Sequence, residues 1–371
     1  MTWQTKKLGE VLEYEQPTLY IVSSKNYKEE YKTPVLTAGK SFILGKTKEK
    51  NGIFPKDKLP VIIFDDFTTA TKFVDFPFKV KSSAMKILHP VKNISDAKFL
   101  FHLMQNINFD HTGIHKRYWI SEYSKIEILL PPLPEQHRIV KILDEVFTDL
   151  AKAKENAEKN IQNAKELFES YLQSVFANSG KNWEEKTLGD VVVTTQGVQI
   201  KKSLQLKTQK NGYKRYLYIS DFDHEKNLKY VKDIYPKKLV TKDDLIVVNT
   251  GASAGKIFRG IDGILSNNLF KVSFSKNILN TDFLYYFVTS SIFWNFQKKI
   301  VRGTANPHMG HENFNLTPFN LPKLSQQKSI VAKLDALSAE VKKLEKIYQQ
   351  KLADLEELKK SVLKKAFSGR L

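Results

Sequence analysis

Cysteine is absent from the 371 residues. That absence excludes disulfides, thiolate zinc sites and cysteine nucleophiles, and it fits a reducing compartment such as the cytoplasm. Long apolar runs are missing too. No stretch approaches membrane-spanning length, and Met1-Thr2-Trp3-Gln4-Thr5-Lys6-Lys7 lacks the apolar core of a secretion signal. The expectation is a soluble intracellular protein with no membrane partner. Negative charge is in short supply. Lys and Arg number 59 against 40 Asp and Glu, a formal charge of +19. Such an excess points to a polyanionic partner, most simply nucleic acid. A lysine-rich, AT-biased lineage gives the same composition without any such partner. Hydrophobic residues make up 41% and aromatic residues 12%, enough for packed cores. The length suits two or three domains.

Catalytic constellations are missing as well. Gly39-Lys40-Ser41-Phe42-Ile43-Leu44-Gly45-Lys46-Thr47 is superficially like a phosphate loop. It has one residue too many between its glycines, and no buried strand leads into it. A lysine-rich surface loop accounts for it. Gly251-Ala252-Ser253-Ala254-Gly255-Lys256 also has the wrong spacing and reads as a tight turn after a strand, with glycine permitting positive φ. Asn306-Pro307-His308 lacks the second proline and the aromatic of an adenine methyltransferase motif. Asp65-Asp66 ends a predicted strand, where metal carboxylates often sit. Its expected repeat partner is Asn249-Thr250, which cannot do that chemistry, so a strand-end turn or hydrogen bonding accounts for the pair. The histidines, among them His89, His102, His111 and His115, show no metal-ligand spacing. No catalytic residue and no metal site is expected.

What is present is an internal repeat. Trp3-Gln4-Thr5-Lys6-Lys7-Leu8-Gly9-Glu10-Val11 matches Trp183-Glu184-Glu185-Lys186-Thr187-Leu188-Gly189-Asp190-Val191. Val61–Asp65 is matched to Leu245–Asn249, and Phe99-Leu100 to Phe283-Leu284. Leu133, Gln136, Ile139, Val140, Leu143 and Asp144 match Leu324, Gln327, Ile330, Val331, Leu334 and Asp335. So long a period signifies two copies of a globular domain plus a helix. Each globular part reads as mixed and mostly β, with short apolar runs between Gly, Pro, Asn and Asp breaks. A helical segment follows in each, about Asp96–Asn108 and about Thr281–Ile300. Next come the polar glycine loops, His111–Arg117 and Arg302–His308, and a last short strand, near Ile126–Leu130 and Phe319–Leu321.

Two proline-rich stops, at Pro131-Pro132 and Leu321-Pro322, precede two long helical stretches. Apolar or small residues recur at Val146, Leu150, Ala153, Ala157, Ile161, Ala164, Phe168, Tyr171 and Val175. They recur again at Leu334, Leu337, Val341, Leu344, Tyr348, Leu355, Leu358 and Val362. Steps of three and four mark a helix with one adhesive seam. Two helices docked separately on their own domains are one arrangement; the regular spacing favours a coiled coil. The expected fold is α+β: two similar mixed α/β domains joined by two long antiparallel coiled-coil helices about a pseudo-two-fold axis. Expected boundaries are 1–132, 133–180, 181–322 and 323–371.

These residues together resemble the DNA-specificity subunit of type I restriction–modification systems. The resemblance rests on the duplicated Trp-x4-Leu-Gly-[Glu/Asp]-Val opening, the Thr250–Lys256 turn and the Gly303-Thr304 loop. It rests further on Pro131-Pro132-Leu133-Pro134-Glu135-Gln136 before a long helix, and on Ala366-Phe367-Ser368-Gly369-Arg370-Leu371. Nearly the whole chain is covered. There are departures. The second copy reads Leu324-Ser325-Gln326-Gln327 where Leu-Pro-Glu-Gln is expected, and the first has Phe67-Thr68-Thr69-Ala70-Thr71-Lys72 in place of the glycine turn. Both fit domains that read different sequences.

The resemblance implies two target-recognition domains, each reading half of a split site on double-stranded DNA. It implies a non-catalytic chain without a cofactor of its own, with the spacer helices as a ruler for the gap. Two modification subunits, carrying S-adenosylmethionine for adenine-N6 methylation, and restriction subunits are the implied protein partners. Lysines would bind phosphates and a few polar side chains would read base edges. The candidates are Thr68, Thr69, Thr71, Lys72, His115, Lys116 and Arg117 in the first domain. In the second they are Lys214, Arg215, Ser253, Lys256, Arg302, Thr304, Asn306 and His308. The competing readings are a methyltransferase or nuclease with duplicated DNA-binding domains, and a coiled-coil adaptor that binds DNA without preference.

Overall fold

The repeat is visible strand by strand in a computed structural model, which describes residues 3–37, 41–109, 117–178, 180, 182–224, 226–251, 253–300 and 309–371. Two units divide the chain: Met1–Ala157 with Gln349–Leu371, and Glu158–Tyr348.

In the first unit the elements run β1 (Gln4–Lys7), α1 (Leu8–Val11), β2 (Leu12–Glu15), β3 (Thr33–Leu36), β4 (Ile43–Thr47), β5 (Val61–Asp65), β6 (Thr71–Val74), β7 (Lys79–Val80), β8 (Met85–Pro90), α2 (Ala97–Gln105), α3 (Tyr118–Ser121), β9 (Glu127–Leu130) and the start of α4 (Leu133–Ala177). An antiparallel sheet has the order β2-β8-β5-β6, a second has the order β4-β3-β7 with β3 and β7 parallel, and β1 pairs with β9.

The second unit follows the same plan with β10 (Glu184–Thr187), β11 (Val193–Gln196), β12 (Tyr213–Leu217), β13 (Tyr230–Lys232), β14 (Leu239–Val240), β15 (Leu245–Val248), β16 (Ile257–Arg259), β17 (Gly263–Leu265), β18 (Leu269–Ser273), α5 (Thr281–Thr289), α6 (Ser291–Ile300), α7 (His311–Asn315), β19 (Pro318–Leu321) and α8 (Leu324–Phe367). Its sheets read β11-β18-β15-β16, β13-β12-β17-β14 with β12 and β17 parallel, and β10-β19. The chain is thus α+β, with two similar domains and two long helices.

The central strands explain why their sequences read as unbroken apolar runs. Ile62 and Phe64 of β5 face the core that holds α2, while Val61 and Ile63 face a second core on the other side. On β15, Leu245 and Val247 face the helices, and Ile246 and Val248 face away from them. Both faces are covered, so no polar alternation survives.

Strand pairing corrects the expected match by one residue. Ile62 opposes Leu88, and Leu245 opposes Val272. Ile62 therefore corresponds to Leu245, and Asp66 to Asn249; the residue matching Asp65 is Val248. A run of interchangeable β-branched residues has no sequence feature that distinguishes a slip of one, whereas ladder register does.

Two helical expectations also shift. The segment after β8 is helical over Ala97–Gln105 only. The stretch expected to be one helix from Thr281 to Ile300 breaks at Ser290, whose backbone is extended and whose Oγ donates to Phe287 O at 2.6 Å. A serine there ends one helix and opens the next.

Both long helices form, α4 with 45 residues and α8 with 44. In the first unit they run antiparallel: Ile139 and Leu143 share a core with Leu363 and Ala366. Lys154 meets Glu356 at 3.1 Å, and Lys359 Nζ lies 5.3 Å from the Phe147 ring. In the second unit Leu172 and Phe176 share a core with Val331 and Leu334, and Lys165 meets Glu345 at 3.6 Å. The seam drifts from the expected one. Leu172 and Phe176 are buried where Tyr171 and Val175 were expected, and Leu344 and Leu358 are exposed. Near its ends a helix packs on its globular domain as well as on its partner helix, so the buried stripe turns toward both.

Candidate nucleic-acid interface

Two buried glutamines fix the helices to the domains, with the same geometry in both units. Gln136 lies one turn into α4. Its Oε1 accepts from Asp96 N at 2.8 Å, and its Nε2 donates to Ile94 O at 2.9 Å and Pro131 O at 2.8 Å. Gln327 accepts from Asn280 N at 2.7 Å and donates to Ile278 O at 2.9 Å and Pro322 O at 2.8 Å. Asp96 and Asn280 are in turn the N-caps of α2 and α5. Only an amide offers an acceptor and two donors from one short side chain. The repeat match includes both glutamines. Their function as three-way latches depends on backbone groups about forty residues earlier, which sequence spacing does not reveal.

A second repeated feature is a close backbone approach. A Cβ on Gly9 would sit 3.2 Å from Ser124 O, and one on Gly189 3.2 Å from Asn315 O. The Leu-Gly pairs of the two openings are needed for that contact.

The first unit gathers its described candidates around one strand end. Thr68, Thr69, Thr71 and Lys72 lie in or beside the β5–β6 turn. Asp65 Oδ1 accepts from Phe67 N at 2.8 Å and Thr68 N at 3.2 Å, closing the turn. Thr69 has φ +57°, and Lys72 Nζ lies 5.8 Å from the Phe42 ring. Arg117, exposed, adjoins the same place, because Asp66 O accepts from Tyr118 N at 2.9 Å and Asp66 Oδ1 from Trp119 N at 2.8 Å. Asp66 Oδ2 is 3.4 Å from Lys86 Nζ, and both side chains are sealed from water. The Asp65-Asp66 pair thus makes a strand-end turn and its hydrogen bonds. His115 and Lys116 fall outside the described residues.

In the second unit the β15–β16 turn is three residues longer. Gly251 and Gly255 both have positive φ, +89° and +85°, and a Cβ on Gly255 would strike Trp294. Ser253 and Lys256 sit on this turn. Ser253 O accepts from Lys256 N at 3.0 Å, and Lys256 Nζ is held by Asp223 at 2.9 and 3.0 Å. Asn249, the counterpart of Asp66, accepts at its carbonyl from Met309 N at 2.8 Å. Arg215 is mostly covered and donates to Asp221 Oδ1 at 3.1 Å. It lies near the turn through Asp221–Asp223, since Phe222 stacks on Phe258 at 4.7 Å. Lys214 stands apart, exposed, lining an open depression of about 560 Å³ with Gln209, Lys210 and Asn211. Arg302, Thr304, Asn306 and His308 lie outside the described residues. Sequence reasoning read Asp65-Asp66 as a strand-end turn but passed over Lys86, the buried partner of Asp66. The one available signal was an acidic pair at a strand end.

Among the described residues no group of three or more His, Asp and Glu could hold a metal ion, and no helix is long and apolar enough to cross a membrane.

Comparison with known proteins comes in three parts. The family described as type I restriction modification DNA specificity domain matches residues 1–159 and again 180–353. Among curated relatives, the specificity subunit of the type I restriction enzyme EcoR124I/EcoR124II of Escherichia coli is 46% identical over 193 residues. That match covers 50% of this chain and 47% of the relative. The specificity subunit of the MjaVIII enzyme of Methanocaldococcus jannaschii is 28% identical over 188 residues, covering 51% of this chain and 42% of the relative. The chain therefore spans about half the length of these two relatives. Among solved structures, a chain from work on complex assembly and conformational transition of the type I R-M system superimposes with a TM-score of 0.75 at 20% identity, covering 100% of this chain and 98% of that one. The HsdS subunit from Thermoanaerobacter tengcongensis gives 0.62 at 20% identity, covering 100% and 97%. These two likenesses establish the fold.

Proposed function

The chain belongs to the type I restriction modification DNA specificity domain family, and we propose from that premise that it is a non-catalytic subunit reading the two halves of a split site on double-stranded DNA. The observation that carries this reading is a repeat with matching helix attachments and different turns. The order of the sheet beside the helices and the glutamine latches are the same in both units, while the other sheet gains a strand, β14, in the second and the β5–β6 and β15–β16 turns differ in length and residue type. Similar frames bearing different contact turns are what a site with two unlike halves requires.

In this reading residues 1–132 and 181–322 are the recognition domains, and 133–180 and 323–371 are the spacers. Lys72, Arg117, Lys214 and Lys256 meet phosphates or base edges together with Thr68, Thr69, Thr71, Ser253 and a partly covered Arg215. His115, Lys116, Arg302, Thr304, Asn306 and His308 complete the proposed set. Arg suits guanine and Asn suits adenine in the major groove. The chain binds no cofactor of its own. Two modification subunits supply S-adenosylmethionine and the methyl transfer to adenine N6, restriction subunits complete the complex, and the work takes place in the cytoplasm. Exposed Leu167, Leu344 and Ile347 in the second unit, and Leu358 in the first, are apolar side chains available to protein partners.

Mapping N6-methyladenine in the host genome tests the proposal. A split motif that vanishes on deletion of the gene is expected. A continuous palindrome, or methyl transfer by the purified chain alone with S-adenosylmethionine, would overturn it.

A further inference from the structure

We propose that Asp66 is a positioning residue for the DNA contacts of the first domain, holding the β5–β6 turn and the backbone at Tyr118–Trp119 as one rigid piece through a side-chain bond that has no counterpart among the described residues of the second domain. The inference rests on the DNA-reading role proposed above.

The backbone N–H, the backbone carbonyl and Oδ1 of Asp66 each hold a separate segment, while Oδ2 and Lys86 Nζ are buried without a hydrogen bond and face each other only as an ion pair. The Asp66 N–H donates to Ala84 O at 3.0 Å, its carbonyl accepts from Tyr118 N, and Oδ1 accepts from Trp119 N. Oδ2 faces Lys86 on β8. The turn that carries Thr68 and Thr69 starts at the next residue, and Arg117 directly precedes the bonded amides. A shift of Asp66 would therefore move both candidate segments together.

A buried ion pair is poor evidence of a stabilising role, because apolar groups of similar size often do as well. The second unit contains an uncharged replacement, apolar at the lysine and polar at the aspartate. In register, Lys86 opposes Phe64 and Phe270 opposes Val247. Lys86 and Asp66 thus become Phe270 and Asn249. Phe270 packs on His311 at 4.4 Å and on Phe314 at 5.6 Å. The Asn249 side chain bonds to Thr250 and Asn267. Its carbonyl still holds Met309 N, as that of Asp66 holds Tyr118 N. The backbone tether is common to both units, and the side-chain tether at Trp119 is the addition in the first. Lys86 is the cation that makes a buried carboxylate tolerable there.

Paired substitutions separate the tether from the charge. Asp66→Asn with Lys86→Met removes both charges and keeps an oxygen acceptor for Trp119 N. Asp66→Leu with Lys86→Met removes both charges and the acceptor. Each is assembled with the modification subunits and assayed for methylation on duplexes altered in one or the other half-site. The asparagine pair should discriminate as wild type does. The leucine pair should lose about tenfold in discrimination at one half-site, the scale of one lost hydrogen bond, and nothing at the other. Amide exchange at Trp119 should quicken in the leucine pair alone. Equal loss at both half-sites, no loss at either, or loss in the asparagine pair too would overturn the inference. If the leucine pair fails to assemble, Asp66→Ala with Lys86→Met removes the same acceptor without adding bulk. Failure of the wild-type complex to methylate any split site would instead count against the function proposed above.

Discussion

The first half of the chain supports its strand-end turn with a sealed ion pair, Lys86 and Asp66, whereas the second supports the matching turn with Phe270 and Asn249. The hydrogen bonds of Gln136 and Gln327, by contrast, have corresponding partners and nearly the same lengths in both halves. The difference shows which parts of the domain carry a fixed geometric duty. A helix must leave each domain in the same direction, so its latch is the same. A strand-end turn needs only to be held, and a charged pair or an aromatic cluster can hold it.

The comparison is most easily broken at Lys86. Lys86→Met alone leaves the Asp66 carboxylate buried without its cation, and urea unfolding should show a loss of about 3–5 kcal/mol. Phe270→Met at the matched position trims a buried ring and its contacts with His311 and Phe314, and should cost about 1–2 kcal/mol. Similar losses at the two positions would mean that the ion pair is not a distinct device.

The latches predict equality instead. Gln136→Leu strips partners from Asp96 N, Ile94 O and Pro131 O, and Gln327→Leu does the same to Asn280 N, Ile278 O and Pro322 O. Each should cost about 2–4 kcal/mol, and the costs should add in the double variant. A marked inequality would show that the two helices are not held alike.

A smaller contrast depends on pH. His102 on α2 and Tyr286 on α5 hold matched positions, facing Asp144 and Asp335 respectively. Burial pushes the His102 imidazole down to about 4 from 6.5, against the pull of Asp144. The folded pKa is the lower one, so the neutral ring's contribution is complete above pH 6.5 and is lost as pH falls from 6.5 toward 4. From pH 8 to pH 5 the first unit should lose about 2 kcal/mol through this group. His102→Tyr, which copies the second unit, should flatten that part of the profile in urea unfolding at each pH.

The smallest effects are expected at the surface. Lys214→Ala and Lys256→Ala should leave stability within about 0.5 kcal/mol of wild type. Each should lower the salt slope of DNA binding by the reconstituted complex by about one if the lysine meets a phosphate. An unchanged slope would remove that residue from the interface.

Much of the architecture could be read before any coordinates. The duplicated Trp-x4-Leu-Gly opening marked corresponding points of the two halves, though not the strands β1 and β10 that lie there, and the proline stops marked the starts of α4 and α8 within a residue or two. Gly251 and Gly255 were placed in a turn with positive φ, and both have it. These features depend on neighbours in sequence or on helical spacing. The break at Ser290 was not legible, because Thr281–Ile300 is apolar enough throughout to pass for one helix. Nor was the exposure of Leu344 and Leu358, since spacing predicts a seam without saying where a domain takes the partner helix's place.

Composition, periodicity and repetition, all local or additive properties of the chain, were enough to establish a basic, duplicated α+β chain with two long helices. Three other things required the fold. The register that equates Asp66 with Asn249 is decided by ladder hydrogen bonds across strands. The glutamine latches join a helix to backbone carbonyls 42 and 49 residues earlier. The Lys86–Asp66 pair joins residues twenty apart in a space closed to water, where desolvation makes each charge depend on the other. In the sequence those two residues are one lysine among many and half of an acidic pair. Burial makes them partners, and burial is a property of the packed chain.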